Sequence, residues 1–160
     1  MSRVGIGYDI HPFAPGRRMV LCGIEFPGED GLAGHSDADA ALHAVTDALL
    51  GAAGLGDIGE HFPPSDERWR DADSGDLLRA VVAMLTDRFV IGNVDLTIVG
   101  ERPRIGPRRS EMRTRLAELL SISVEQVNVK ATTNEQLGAL GRGEGLAALA
   151  VALLEEQGQR

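Results

Sequence analysis

The chain has 160 residues, a formal net charge of −8 and a pI near 4.9, and only 4% of its residues are aromatic. A single domain of this size buries roughly 70% of its unfolded surface, so its core must rest on Val, Leu, Ile and Ala rather than on rings. The charge weighs against general affinity for DNA, RNA or anionic membrane, and the longest strongly apolar stretch, Leu146 to Leu154, is too short to span a bilayer.

One cysteine, Cys22, cannot form an intrachain disulfide. No basic-then-apolar leader is evident, so a reducing, cytoplasmic setting is expected. There is no linker, low-complexity tract or repeat, which leaves one domain over residues 1–160.

In chain order, Arg3 to Asp9 reads as a strand and Met19 to Phe26 as a second, with turn chemistry at Gly28-Glu29-Asp30-Gly31. Ser36, supported by Asp39, opens a helix to about Leu50 with Leu42, Val45 and Leu49 facing the core. Residues 54–70 form a long irregular stretch, a length that usually signals function. Asp73 or Ser74 caps a second helix to about Asp87. Phe89 to Val99 alternates as a strand. A third helix follows Pro107 and carries Met112, Leu116, Leu119 and Leu120. Val127 to Thr132 is a strand and Asn134 to Leu137 a helical turn. Gly145 to Glu155 favours helix by its Ala and Leu content. This mixture indicates an α/β (α+β) arrangement of layers.

The segment Gly7-Tyr8-Asp9-Ile10-His11-Pro12 carries the strongest chemical signal. A strand repeats every two residues, so Asp9 and His11 point from one face. His43, on the first helix, can meet them. Two imidazoles and a carboxylate suit Zn²⁺ with one position left open, as a catalytic metal needs. Asp39 and Asp47 flank His43 by four residues on either side and are candidates to accept its second ring N–H. His35 and His61 are further candidate ligands, so spacing alone leaves the choice of three open.

Two segments suit phosphate. His35-Ser36 sits at a helix start, where free N–H groups and the dipole favour anions. In Ala131-Thr132-Thr133-Asn134-Glu135 a strand hands over to a turn, Thr133 offers a hydroxyl and Glu135 suits a hard cation. Ser36 with Asp39, and Thr132 with Glu135, are equally simple capping boxes. In Gly141-Arg142-Gly143-Glu144-Gly145, alternate glycines allow close backbone approach and Arg142 can fork onto phosphate. An exposed ion pair is the other reading.

Gly7-Tyr8-Asp9-Ile10-His11, His35-Ser36-Asp37-Ala38-Asp39 with His43, Thr46 to Gly51, Gly56 to Gly59, Asn128 to Thr133 and Gly141 to Gly145, in this order and spacing, resemble the 2-C-methyl-D-erythritol 2,4-cyclodiphosphate synthase family. The resemblance runs from Arg3 to about Leu154. It implies a mixed sheet covered by helices on one side, with the last segment a strand despite its helix propensity. It further implies a homotrimer around packed sheets with active sites between subunits. It implies Zn²⁺ on Asp9, His11 and His43, and Mg²⁺ or Mn²⁺ on Glu135 and the substrate diphosphate. His35 and Thr133 would stabilise the transition state. The methylerythritol side would be held by Asp57 and Gly59, with Ser36, Phe62 and Asp66 also contacting substrate. The cytidine side would be held by Ala131, Thr132 and Thr133 with Gly100, Pro103, Arg104 and Ile105. Arg142 would lie near the phosphates, and Ala139 would also contact substrate.

Three positions depart from the pattern: Pro64 where aspartate is common, Arg104 for a usual lysine, and Ala139 where phenylalanine is often found. The implied reaction is cyclisation of a cytidine diphosphate substrate with release of CMP. A zinc hydrolase and a non-catalytic trimeric binding protein are the competing classes. Incorporation of water distinguishes the first, and ligand retention without CMP release the second.

Overall fold

A 20-residue strand, β1 (Ser2–Leu21), opens the chain and serves two partners. The computed structural model describes residues 1–158, so the last two residues of the expected domain lie outside it. The first half of β1 pairs antiparallel with β5 (Gly145–Glu156), from Ser2 against Glu155 to Pro12 against Gly145. The second half pairs antiparallel with β2 (Ile24–Leu32). On the far side of β5 lies β3 (Phe89–Val99), antiparallel to it, and then β4 (Val127–Thr132), parallel to β3. The sheet order is β2-β1-β5-β3-β4, a mixed sheet.

Helices α1 (Ala40–Ala53), α3 (Ser74–Leu85) and α4 (Arg109–Leu120) cover one face, with the one-turn helices α2 (Ile58–His61) and α5 (Gly138–Gly141) in connections. No helix among the described residues is long and apolar enough to cross a membrane. The expectation of a single-domain α+β fold with helices on one side holds.

Several expected boundaries move, each for a physical reason. The turn between the first two strands is Cys22-Gly23, inside the segment Met19 to Phe26 expected as one strand. Both turn residues have positive φ, 54° and 69°, the mirror-image geometry that suits a two-residue hairpin. Cysteine is a weak turn signal, so the segment read as one strand is two. Residues 28–31 lie inside β2. The first helix begins at Ala40 rather than Ser36, because Asp39 is itself the cap, accepting from Leu42 N–H. The second helix ends at Leu85. The turn expected at Asn134 to Leu137 contains no helix; α5 follows it, held by Gly141 N–H to Leu137 O. The segment 145–156 is strand, since pairing on both sides with β1 and β3 overrides its alanine-rich propensity.

Helix α1 lies unusually close to β1. A Cβ on Gly5 would stand 2.0 Å from Ala48 O, and one on Gly7 1.9 Å from Ala44 O. Glycine in the strand and alanine on the helix (Ala41, Ala44, Ala48 and Ala52 are buried) let the two backbones touch. Asp39 ties this helix to the hairpin. Its carboxylate accepts from Cys22 N–H at 3.0 Å, Gly23 N–H at 2.7 Å and Leu42 N–H at 3.0 Å, and the residue is fully buried.

Burial, then the nearby charge of Asp37, pushes the Asp39 carboxyl up to about 7, against the pull of the N–H donors. A carboxyl raised from its unfolded value of 3.8 favours the folded state below about pH 4 and loses that contribution as pH rises towards 7. The full swing is as much as about 4 kcal/mol. Replacing Asp39 with Asn should remove this swing and add a pH-independent loss of one hydrogen bond. Urea unfolding of both proteins across pH 4 to 7 checks it: the wild-type advantage should shrink as pH rises, and a constant difference would refute it.

Among the described residues, no helix covers the other face of the sheet. Val4, Ile6, Tyr8 and Ile10 of β1, Leu149 and Val151 of β5, and Val90 of β3 are exposed on it. Towards β4 this face turns polar, with Lys130 Nζ 2.7 Å from Asp95 Oδ2.

Candidate metal centre

The strand period puts Gly5, Gly7, Asp9 and His11 on the helix side of β1, and the close approach of α1 at the two glycines carries His43 to Asp9. Each of the three side chains offers one ligand atom, and these lie within 4.8 Å of one another. His43 Nδ1 is 3.0 Å from Asp9 Oδ2 and His11 Nε2 is 2.8 Å from the same oxygen. The His11 contact is not a hydrogen bond: Nε2 is buried and has no partner in bonding geometry. His11 Nδ1 instead donates to Ala33 O at 2.6 Å. In the neutral ring that leaves a lone pair on Nε2 facing carboxylate oxygen, an arrangement that only a cation between them makes favourable.

The electrostatics agree. Burial opposes ionisation of Asp9, yet the two imidazoles beside it hold its carboxyl well below the usual range. The approach of Asp9 raises the His11 pKa despite burial. A field that holds a proton there also holds a divalent ion, and the donor set fits one.

The expected support for His43 is corrected. Asp39 is committed to the hairpin and Asp47 accepts from Ile58 N–H at 2.8 Å, so neither meets the imidazole. His43 Nε2 lies 3.0 Å from Ser74 Oγ and 3.1 Å from Ser36 Oγ. Ser36 therefore lies beside the triad. His35 and His61 do not join it. The His35 side chain is exposed, its carbonyl accepting from Asp71 N–H, and His61 Nε2 is 2.7 Å from Leu55 O.

Asp57 caps α2, which carries Gly59, and Phe62 packs edge-on against Trp69 at 5.0 Å. Asp66 is paired with Arg68 at 2.6 Å, and Arg142 with Glu144 at 2.6 Å. Ala139 lies exposed on α5.

A second cluster forms where β3 and β4 end. Gly100, Pro103, Arg104 and Ile105 line one pocket of about 490 Å³ with Ala131, Thr132 and Thr133, so the residues expected around cytidine do share a cavity. Thr133 Oγ1 donates to Glu135 Oε1 and accepts from Glu135 N–H, both at 3.2 Å. Glu135 and Gln136 have positive φ, 51° and 61°, and Glu101 Oε1 accepts from the N–H groups of Asn134 and Gln136 across the loop.

Sequence reasoning missed this Glu101 clamp. It also missed Ser74, and Arg17, which donates to Gly34 O and Ser36 O. Each acts across a separation or through a backbone carbonyl that no local motif encodes. Cys22 is buried with its thiol pKa pushed up, first by burial, which agrees with its having no nucleophilic role.

Residues 2–155 match the profile of the YgbB family. The chain belongs to that family. It is 57% identical over 94% of its length to 2-C-methyl-D-erythritol 2,4-cyclodiphosphate synthase of Symbiobacterium thermophilum, covering 97% of that protein. It is 54% identical to the synthase of Geobacter metallireducens, with 97% of this chain and 99% of that one covered. The same fold occurs as part of longer proteins. This YgbB-family chain covers 39% of the bifunctional IspD/IspF of Anaeromyxobacter dehalogenans at 59% identity. It superposes on the bifunctional IspDF of Campylobacter jejuni with a TM-score of 0.94, at 37% identity, over 98% of this chain and 43% of that one. A CDP complex of IspF from Plasmodium falciparum matches with a TM-score of 0.86 at 30% identity, covering 98% and 97% of the two chains.

Proposed function

We propose that the chain, residues 1–160 as one domain, is a phosphorus–oxygen lyase. It would convert 4-diphosphocytidyl-2-C-methyl-D-erythritol 2-phosphate to 2-C-methyl-D-erythritol 2,4-cyclodiphosphate and CMP, in non-mevalonate isoprenoid synthesis in the cytoplasm. The observation that carries the proposal is the convergence of Asp9, His11 and His43 in a chain more than half identical to named synthases. In the reaction the substrate 2-phosphate oxygen attacks the β-phosphorus. The bond from that phosphorus to the bridging oxygen breaks, and CMP leaves with the electron pair.

The nucleophile is already an anion, so no strong base is required, in keeping with a site that offers no activated serine or cysteine. Zn²⁺ on the triad and Mg²⁺ or Mn²⁺ beside Glu135 would supply charge neutralisation on the diphosphate. The chain's own groups then position the reactants. His35 and Thr133 face the reacting phosphates, and Asp57 and Gly59, with Ser36, Phe62 and Asp66, hold the methylerythritol part. The pocket of Gly100, Pro103, Arg104, Ile105, Ala131 and Thr132 holds cytidine, Arg142 lies near the phosphates, and Ala139 also contacts substrate. Holding both ends of the substrate folded back is worth several kcal/mol of the barrier.

Active sites between copies of a homotrimer are part of this reading. Ile10, Ala147, Val99 and Thr132 share one row across the sheet. Three strand spacings put the metal triad and the Thr133–Glu135 loop of one chain about 14 Å apart. Two cations on one diphosphate must be far closer, and a neighbouring copy would supply the other half. The helix-free sheet face, with Val4, Ile6, Tyr8, Ile10, Leu149 and Val151 exposed on it, offers the surface on which copies would pack.

Two experiments test the proposal. Purified protein given the cytidine diphosphate substrate and Mg²⁺ should release CMP, and ¹⁸O-water should leave no label in the product. Label in the product would indicate a hydrolase instead, and bound substrate with no CMP a binding protein. Mixing and refolding two inactive variants, His43→Ala and Glu135→Ala, should restore part of the activity, because some interfaces then contain both intact halves. No recovery despite mixed assembly, checked by native mass spectrometry, would place the whole site within one chain.

A further inference from the structure

We infer that Asp37 and Ser74 are positioning residues that receive the Nε2 hydrogen of His43 and thereby aim its Nδ1 at the metal. This rests on the metal-centre reading above. Asp37, two residues before the helix cap, takes both hydrogens that Ser74 can give: Ser74 N–H reaches Asp37 Oδ2 at 3.1 Å and the Ser74 hydroxyl donates to Asp37 Oδ1. Asp39 N–H adds a third bond to the same carboxylate, at 3.1 Å. An ionised carboxylate only accepts, so the Ser74 hydroxyl hydrogen is committed to it. Ser74 Oγ then has only lone pairs to present to His43 Nε2, 3.0 Å away.

Ser36 points the same way. Its Oγ accepts from Ala38 N–H at 3.1 Å, its own hydrogen has Ser74 Oγ as an acceptor at 3.5 Å, and the lone pair that remains lies 3.1 Å from His43 Nε2. Both serines are buried, at 1% and 7% exposure, so bulk water does not compete for these bonds. Without a metal, His43 Nδ1–H donates to Asp9 Oδ2 at 3.0 Å. When a cation takes that place, Nδ1 must give up its hydrogen and the remaining ring proton sits on Nε2, where the serine oxygens receive it. The imidazole is oriented as its metal-binding tautomer by a carboxylate–hydroxyl pair on a different element, at the first turn of α3.

The two His ligands are therefore held in opposite senses. His11 is fixed through Nδ1 by the Ala33 carbonyl and presents Nε2, whereas His43 is fixed through Nε2 and presents Nδ1. A backbone carbonyl tolerates most substitutions around it. The Asp37–Ser74 pair is a side-chain device, and can be removed.

The test uses the full chain loaded with Zn²⁺ and carrying ¹⁵N-labelled histidine. Long-range ¹H–¹⁵N spectra at about pH 8, above the usual histidine range, should show His43 of the wild type with its hydrogen on Nε2, protected from exchange with water. In Asp37→Asn the amide can donate to Ser74 Oγ, freeing the hydroxyl hydrogen to oppose His43 Nε2–H, so that hydrogen should exchange faster. Zn²⁺ alone, titrated against a competing chelator, should bind about 10- to 100-fold more weakly to Ser74→Ala. A Zn²⁺-loaded wild type with the His43 hydrogen on Nδ1, or a folded Ser74→Ala with unchanged Zn²⁺ affinity, would overturn the inference. The wild-type spectrum decides even if a variant fails to fold. Wild-type protein that binds no Zn²⁺ would remove the metal reading and this inference with it.

Discussion

Replacing His43 with Ala should abolish bound zinc and turnover together, lowering activity by about three decades or more. The estimate follows from the several kcal/mol that a cation contributes at developing phosphate charge, each 1.4 kcal/mol being a factor of ten. His43 supplies one of three ligand atoms, and without it Asp9 and His11 keep only a two-point grip. The fold should survive, because the side chain lies at the edge of α1 while the buried packing of that helix comes from its alanines and leucines. Metal analysis by plasma mass spectrometry, a CMP release assay and far-UV circular dichroism make the check. A folded variant with full zinc content and full turnover would end the metal assignment.

Gly7→Ala should be the most damaging single-methyl change in the chain. The added Cβ would stand 1.9 Å from Ala44 O and 2.8 Å from Ala48 N, and both are helix backbone atoms that cannot rotate away. Relief requires α1 to lift off β1, which opens the contact that carries His43 to Asp9. Overpacking of this kind costs about 1–3 kcal/mol where side chains can yield, and here the obstacle is backbone, so the loss should reach the top of that range or beyond it. Urea unfolding should show a lower midpoint, and any folded fraction should bind Zn²⁺ poorly. The exposed Gly106, whose added Cβ meets nothing within 4 Å, is the control: Gly106→Ala should leave both measurements unchanged.

Much of this site could be read along the chain because its key pair is local. Asp9 and His11 obey a period of two, and the structure alternates exposed Val4, Ile6, Tyr8 and Ile10 with the inward Gly5, Gly7, Asp9 and His11. His43 was within reach through its helix. The support around it was not. Ser74 meets His43 across 31 residues and Asp37 across 37, and serine at a helix start reads as a cap whatever else it touches.

The hairpin failed to show for a similar reason. Its turn uses a cysteine with positive φ, and three bonds from a distant buried carboxylate, two of them to the turn itself, replace what Asn-Gly would have supplied locally. The last strand illustrates tertiary override. An Ala- and Leu-rich segment that would be helical alone becomes the central strand because it is paired along both edges. Its many small residues suit a strand on which α1 packs closely. The gathering of residues 100–106 with 131–133 follows from the parallel pairing of β3 and β4, whose carboxyl ends must emerge side by side.

The chain carries one lysine, Lys130, half exposed beside Asp95 on the helix-free side of the sheet. Arginine does not react with acylating reagents as an amine does, so this side chain is the lone side-chain target for amine-directed labelling. The accident of composition makes a native footprinting probe: the rate at which Lys130 is acylated, followed against protein concentration, reports whether that surface is open to solvent or capped, with no tag or mutation introduced.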